Sequence, residues 1–446
     1  MQDSSIEISH EKSGNSTANA MIITILCTVV GGAILALPAC MHFTSLIVGQ
    51  MLIVLVAGLS LLSANKLVIL ADFLKEDSYV KLFARIMNFT TKERIAAPLC
   101  SGNSGANSYE EENATKYRES KIMKLLIQLI IFWYTFGVGV SFIIIIADSM
   151  KPLADAWMGT QGFCSSGSFW VLVVYPLLLG FSSVEQITEL KVFSLVSFLT
   201  MVYVCVMIGF RYVNASVLAN SVIPASNAQL FSIGRSLFQG FPIISVAFTM
   251  HYNAPQLYYE LRTPSVKLMS RCLCISMIII ILLYSQVASM GYLHFGEKSV
   301  ESGGDILALY GKDDLFVNIG RLLMFLHFAL GFPMVSVACR RALTLFFLGK
   351  EGNVPLLYRF MAAFFIVSSS CLLAVFSRGI TEIFVFNGAL FGIHIVMTIP
   401  ATMYFIVFRS KMSRTEMALN FLLGFCGIFF SVVGFIVVLC EKLQSH

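Results

Sequence analysis

Apolar residues in this chain come in long blocks divided by short polar stretches, not at the two-residue alternation of a half-buried strand. A stretch of roughly twenty apolar residues crosses a hydrocarbon core. Blocks of that size fall at 20–43, 46–72, 122–149, 168–184, 190–212, 230–259, 272–295, 315–338, 356–376, 380–407 and 416–440, which predicts eleven membrane-spanning helices. Two of these blocks contain residues a plain span has no use for. The first holds Gly31-Gly32 and Pro38, and the sixth holds Pro242 and then His251, Asn253 and Pro255. Glycine loosens a helix and proline removes a ladder hydrogen bond, so both helices are expected to be broken, at Gly31–Ala33 and at Ala247–His251. Irregular backbone at that depth must be covered by protein or line a wet cavity. Close helix packing through small residues is the competing use of the glycine pair.

The two breaks are related by position. Ten of the spans divide into two sets of five, oppositely oriented because five is odd, and each set begins with an interrupted helix, the arrangement of an inverted repeat with a site at its centre. Half-helix N-termini present free amides that receive a carboxylate, and freed carbonyls at the opposite ends accept an ammonium group or a cation. An amino acid carries both charges; a neutral solute or an inorganic ion needs only part of the set.

Composition and charge fix the setting. Of 446 residues, 57% are hydrophobic and 12% charged, and mean hydropathy is +0.82, so the chain is an integral membrane protein. The net charge of +5 is spread over short loops, which excludes a nucleic-acid surface. With the N-terminus inside, 21 Lys and Arg lie on the cytoplasmic side against six outside, so the expected topology is N-in and C-out. The expected organisation is a cytoplasmic tail at 1–19, a transmembrane domain at 20–440 and an outer tail at 441–446. Within the domain lie a first repeat at 20–212, a second at 230–407, helix eleven at 416–440 and a long cytoplasmic loop at 73–121. Tyr79, Leu82, Phe83 and Ile86 share one face of a predicted short interfacial helix in that loop, whose remainder reads as flexible. The first twenty residues lack a basic n-region, so the first span is expected to be retained. Eleven cysteines show neither disulfide nor metal spacing. Asn214-Ala-Ser216 is the sequon expected to face outside and accept glycan.

Among intramembrane polar residues, His251 is a candidate to bind substrate, carry a proton or simply fix the break, and His327 is a candidate for coupling. His394 reads as a packing residue. Asp148 reads as solvated near the end of a span, Arg235 and Arg321 as snorkelling, and Phe360–Phe365 as facing lipid or neighbouring helices.

Val30-Gly-Gly-Ala-Ile-Leu-Ala-Leu-Pro38 resembles the first-helix signature of the amino acid/auxin permease superfamily, and Phe248-Thr-Met-His-Tyr-Asn-Ala-Pro-Gln-Leu-Tyr-Tyr-Glu-Leu261 is similar to its sixth-helix pattern. Weaker echoes are Ser141–Asp148, Phe332-Pro333 with Arg340, and Asn387-Gly388 with Pro400. The nearest branch is that of the sodium-coupled neutral amino acid transporters. The resemblance implies an all-α membrane protein of LeuT-like fold, with discontinuous helices one and six and a peripheral eleventh helix. It implies a secondary active transporter, not an enzyme, that moves amino acids, neutral ones expected, by alternating access. Substrate would meet Gly31, Gly32, Ala33, Phe248, Thr249 and His251. No cofactor or resident metal is expected, only a transported sodium ion or proton. Sodium-coupled members carry an asparagine where this chain has Cys27 and a helix-eight threonine where it has Ala329, so the resemblance leaves the ion open between the two. A cationic amino acid or polyamine carrier, or a transporter-like amino acid sensor, is the alternative. The expected residence is the plasma membrane rather than a vacuolar or lysosomal membrane.

Overall fold

The computed structural model describes residues 14–87, 121–158, 166–183, 190–218, 228–348 and 354–444. Their regular structure is helical apart from one isolated bridge pairing Ser16 with Leu261. In order the helices are α1 (Ala18–Val29), α2 (Ala33–Thr44), α3 (Leu46–Leu74), α4 (Tyr79–Met87), α5 (Lys121–Met158), α6 (Gly167–Ser183), α7 (Leu190–Leu218) and α8 (Leu237–Ala247). A turn of 3-10 helix (His251–Asn253) leads into α9 (Ala254–Tyr259), followed by α10 (Val266–Phe295), α11 (Lys298–Glu301), α12 (Leu315–Leu348), α13 (Leu356–Phe376) and α14 (Ile380–Asn387). Two π-helical turns, Gly388–Gly392 and His394–Thr398, join α14 to α15 (Ile399–Phe408), and α16 (Arg414–Gln444) is the last helix among the described residues.

Eight helical stretches among the described residues are long and apolar enough to cross a membrane, and the pair α1 and α2, bent by 59°, makes a ninth. α6 is apolar but shorter. Burial sorts the long helices by depth in the bundle. α5 buries 72% of its most apolar window and runs through the middle, whereas α16 buries 22% and lies outside. Exposed Leu422, Phe425, Val432 and Ile436 on α16, like Phe360, Met361, Phe364 and Phe365 on α13, form apolar faces suited to lipid.

α4 forms as the loop pattern predicts, with Tyr79, Leu82, Phe83 and Ile86 all buried. Its apolar face packs on α5, so the helix is docked on the bundle. The remainder of the long loop, 88–120, falls outside the described residues. α5 and α12 continue past the predicted ends at 149 and 338, and α16 runs to Gln444, into the predicted tail.

Arg321 corrects a sequence expectation. Instead of snorkelling, it is fully buried. Its Nη1 donates to Gly311 O (3.2 Å) and Asn318 Oδ1 (2.7 Å), and its Nη2 to Leu307 O (2.8 Å) and Tyr310 O (2.7 Å). The α10–α12 connection folds back over the helix and supplies the three carbonyl acceptors, while Asn318 lies one turn away on α12 itself. The same connection is keyed to the start of α14: Gly303 and Gly379, at φ +74° and +144°, touch backbone to backbone, and Thr381 N–H donates to Gly303 O (3.1 Å). A side chain at either glycine would be strained and obstructed.

Asp305 sits in this connection, fully buried, its Oδ1 accepting from the Leu307 amide (2.9 Å). Burial pushes its carboxyl up to about 6, against the opposing pull of that amide and of Arg321. The folded protein therefore holds this proton more tightly than the unfolded chain, whose carboxyl titrates near 3.8. The stabilisation is full below the unfolded value and is lost as pH rises through the folded one. Asp305→Asn is expected to flatten the fall in apparent melting temperature between pH 4 and pH 7 in detergent; parallel wild-type and variant curves would contradict this.

Candidate functional site

Helix α1 ends at Val29 and α2 begins at Ala33, so the first break is Val30–Gly32, where the glycine pair predicts it. The first turn of α2 is closed by short 3-10 bonds, Ile34 N–H to Gly31 O (3.3 Å) and Leu35 N–H to Gly32 O (3.1 Å), leaving the amides of Gly31, Gly32 and Ala33 at the head of the half-helix. The two glycines differ in surroundings. A Cβ placed on Gly31 meets nothing within 4 Å, whereas one on Gly32 lies 2.7 Å from Ile145 Cδ1 and 3.3 Å from Phe328 Cζ. Gly31 therefore borders open space, and Gly32 is the close-packing position.

The second break follows Ala247 and includes Phe248, Thr249 and Met250, again where the sequence predicts it. Met250, at φ −134° and ψ 1°, has left helical geometry. Phe248 and His251 are fully buried, and Thr249 turns its hydroxyl back to Ser245 O (2.8 Å). α3 clamps this break: Ser60 Oγ donates to Phe248 O (3.2 Å), and His251 Nε2 lies 2.7 Å from Ser63 Oγ and 3.2 Å from Ser60 O. Through these contacts His251 joins the break to α3.

α10 joins the two breaks. The Tyr284 hydroxyl lies 3.0 Å from Val29 O and 2.9 Å from Ala247 O, the last carbonyls of α1 and α8, while its ring meets Phe248 edge-on at 5.2 Å. Opposite them stand α5 and the π-helical segment. Tyr134 is 6.0 Å from Tyr252 between ring centroids, and its carbonyl accepts from Asn387 Nδ2 (2.9 Å). A Cβ at Gly392 would lie 3.3 Å from Tyr134 and 3.4 Å from Val246. At Gly388, the π-turn backbone abuts Pro242 O of α8.

The structure gathers the substrate candidates at the two ends of one tie, Gly31–Ala33 on one side and Phe248–His251 on the other. The coupling candidates divide. His327 stacks edge-on against Phe328 at 4.6 Å, Phe328 reaches Gly32, and buried Ala329 follows it, so this turn of α12 abuts the first break. Cys27 instead meets the Phe198 backbone of α7. Asn214 stands half-buried in the last turns of α7. His394 is engaged on both nitrogens, by Thr398 Oγ1 (3.1 Å) and Ser431 Oγ (2.9 Å), consistent with a packing role. A cleft of about 510 Å³ lined by Arg211 and residues 313–316 and 319 contains none of the break residues.

Sequence reasoning missed Ser60, Ser63, Tyr134 and Tyr284. Signals existed for three of them. Ser60 and Ser63 are spaced i, i+3 on one face of an apolar helix, and Tyr284-Ser285-Gln286 is a polar triplet deep in the seventh block. Tyr134 lies among aromatics and carries no such mark.

The geometry has relatives. The transmembrane amino acid transporter protein family matches residues 14–441. Among individual proteins, the chain is 26% identical to amino acid transporter AVT6E of Arabidopsis thaliana, over 95% of this chain and 84% of that one. It is 22% identical to the putative sodium-coupled neutral amino acid transporter 11 of Mus musculus, over 96% and 86%. Vacuolar amino acid transporter 5 of Saccharomyces cerevisiae matches at 27% over 46% of each chain. Among solved structures, MhsT in complex with L-phenylalanine superposes with a TM-score of 0.55 at 10% identity, covering 96% of this chain and 99% of that one. A point mutant of the Eremococcus coleocola manganese transporter gives 0.54 at 9%, covering 96% and 88%. The common architecture is the LeuT-like fold, and with the family match over nearly its whole length the chain belongs to the transmembrane amino acid transporter proteins, a family of carriers and not of enzymes.

Proposed function

We propose that the chain carries neutral amino acids by alternating access, with substrate held between the breaks at Gly31–Ala33 and Phe248–His251. The observation that carries this reading is the juxtaposition of open space at Gly31, the amides heading α2 and the unwound backbone after Ala247. The amides suit a carboxylate and the carbonyls an ammonium group. The side chains placed around the breaks are Ile145, Phe328, Phe248, Tyr134, Tyr252 and Tyr284, with Ser60, Ser63 and His251 behind them. None is a carboxylate, which favours a neutral side chain over a cationic amino acid or a polyamine. Relatives named as neutral amino acid transporters support the same class.

In this reading α6 and the broken pair α8 and α9 count as the fourth and sixth spans, giving eleven helices with the N-terminus inside. The repeats lie at 20–212 and 230–407, and α16 is the peripheral eleventh helix. The coupling ion is the proton rather than sodium. A sodium ion is held by oxygens, and the Cys27 and Ala329 side chains supply none, while the imidazole of His327, on the turn of α12 that abuts the first break, is the candidate proton carrier. No cofactor takes part. The protein acts at the plasma membrane, against the vacuolar membrane that three yeast relatives are named for.

Cells expressing the chain are expected to take up a radiolabelled neutral amino acid from the medium, faster at acid external pH and unchanged when sodium is replaced by choline. Uptake confined to internal-membrane vesicles would move the residence to the vacuole. Dependence on sodium would reverse the coupling assignment, and no transport of any of the twenty amino acids in cells or proteoliposomes would sink the carrier reading.

A further inference from the structure

Val29 and Ala247 are the last residues of two half-helices, α1 and α8, and their carbonyls have lost their normal partners. The amides that would have reached them in continuous helices belong to Ala33 and His251, each beyond a break. Helix C-termini carry partial negative charge, so bringing two of them to one point is unfavourable unless a donor stands between them. That donor is the Tyr284 hydroxyl, 3.0 Å from one carbonyl and 2.9 Å from the other, on a side chain with no solvent exposure. A phenol has one proton to donate, which it shares between the two carbonyls or alternates between them. Edge-on contact with Phe248, the first residue after α8, fixes the ring on the second break as well. α10 also reaches α1 through Cys272 Sγ to Ala18 O (3.7 Å) and Ser276 Oγ to Ile22 O (3.4 Å), so α1 is held to α10 along its length.

We infer that Tyr284 is the positioning residue of the substrate site: its hydroxyl ties the ends of both broken helices to one point, so that the backbone groups freed at Val30–Gly32 and at Phe248–Met250 face the same space before substrate arrives. The inference rests on the proposed carrier function for its kinetic consequence, but the tie itself is independent of which solute is carried. Tyr284 need not touch substrate. It acts through the register of the two breaks, and its loss raises the concentration of substrate needed to fill the site more than it slows the filled carrier.

Tyr284→Phe removes the hydroxyl and keeps the ring against Phe248. In proteoliposomes the variant is expected to raise KM about tenfold or more while leaving maximal uptake within about a factor of two, as for a lost interaction that preorganises binding. Replacing Tyr284 with 4-aminophenylalanine, whose amino group can donate to both carbonyls at once, is expected to bring KM back to within about twofold of wild type. Hydrogen exchange gives a reading that needs no transport: Tyr284→Phe should speed exchange at the amides of both 30–33 and 248–251 together, and the amino analogue should slow it again. An unchanged KM, a loss confined to maximal uptake, or failure of the amino analogue to restore KM would overturn the assignment. If wild-type protein transports nothing, the carrier reading fails, and unchanged exchange in Tyr284→Phe at either break would then overturn the tie.

Discussion

Gly31→Leu is expected to abolish amino acid uptake, by at least about a hundredfold, in protein that folds and reaches its membrane normally. Both halves of that expectation come from the space around the residue. A Cβ at Gly31 meets nothing within 4 Å, and Gly31 is not among the residues at positive φ, so a side chain is neither obstructed nor strained there. Losing a glycine from the chain even reduces the entropy of the unfolded state. The leucine side chain would then occupy the space bordered by the amides of the first break, where the proposed substrate must lie. Gly32→Leu is the contrasting change: its first carbon already crowds Ile145 and Phe328, and overpacking of that kind costs about 1–3 kcal/mol before the rest of the side chain is placed. Gly32→Leu should therefore reduce folded protein, while Gly31→Leu should leave it and remove transport. Size-exclusion profiles, with uptake normalised to folded protein, separate the two. Normal uptake by Gly31→Leu would mean that the space beside the first break is not the substrate's.

This division of labour between adjacent glycines marks how far the sequence could be read. That helices one and six are broken was legible, because Gly31-Gly32 and the group His251, Asn253 and Pro255 contradict the local requirement for an unbroken apolar helix. Which glycine faces space and which faces Phe328 was not, since that depends on the rotation of α2 against α5 and α12. The apolar face of α4 was legible for the same reason as the breaks: four apolar residues at helical spacing stand out in a polar loop. Tyr284 shows the opposite case. A tyrosine in an apolar span signals that its hydroxyl has a partner, but both partners are backbone carbonyls more than thirty residues away in sequence, and backbone leaves no mark in the residue pattern. The ends of α5 and α12 ran long because polar residues such as Lys151 and Arg340 end an apolar block without ending a helix. Within the bundle such residues find partners, as Arg340 does by donating to Ser182 O (2.7 Å).

Arg321→Met is expected to destabilise the fold strongly, lowering the apparent melting temperature in detergent by at least about 5 °C. Methionine approximates the volume of the arginine stem and keeps its packing, so the loss isolates the guanidinium. Four acceptors, Leu307 O, Tyr310 O, Gly311 O and Asn318 Oδ1, would be left without this donor around a fully buried position. A buried polar group stripped of its partner costs about 1–3 kcal/mol, and even with some relaxation of the connection the total is on the order of 3–5 kcal/mol. Arg321→Lys should fall between wild type and Arg321→Met, because one ammonium group cannot span acceptors that a planar fork reaches on two sides. None of these acceptors belongs to either helix break, so variant protein that does fold should keep the wild-type KM for substrate. Thermal melting followed by size exclusion, with KM measured on the folded fraction, tests both statements: a melting temperature within about 1 °C of wild type would remove the structural role, and a raised KM at unchanged stability would move Arg321 into the substrate site instead.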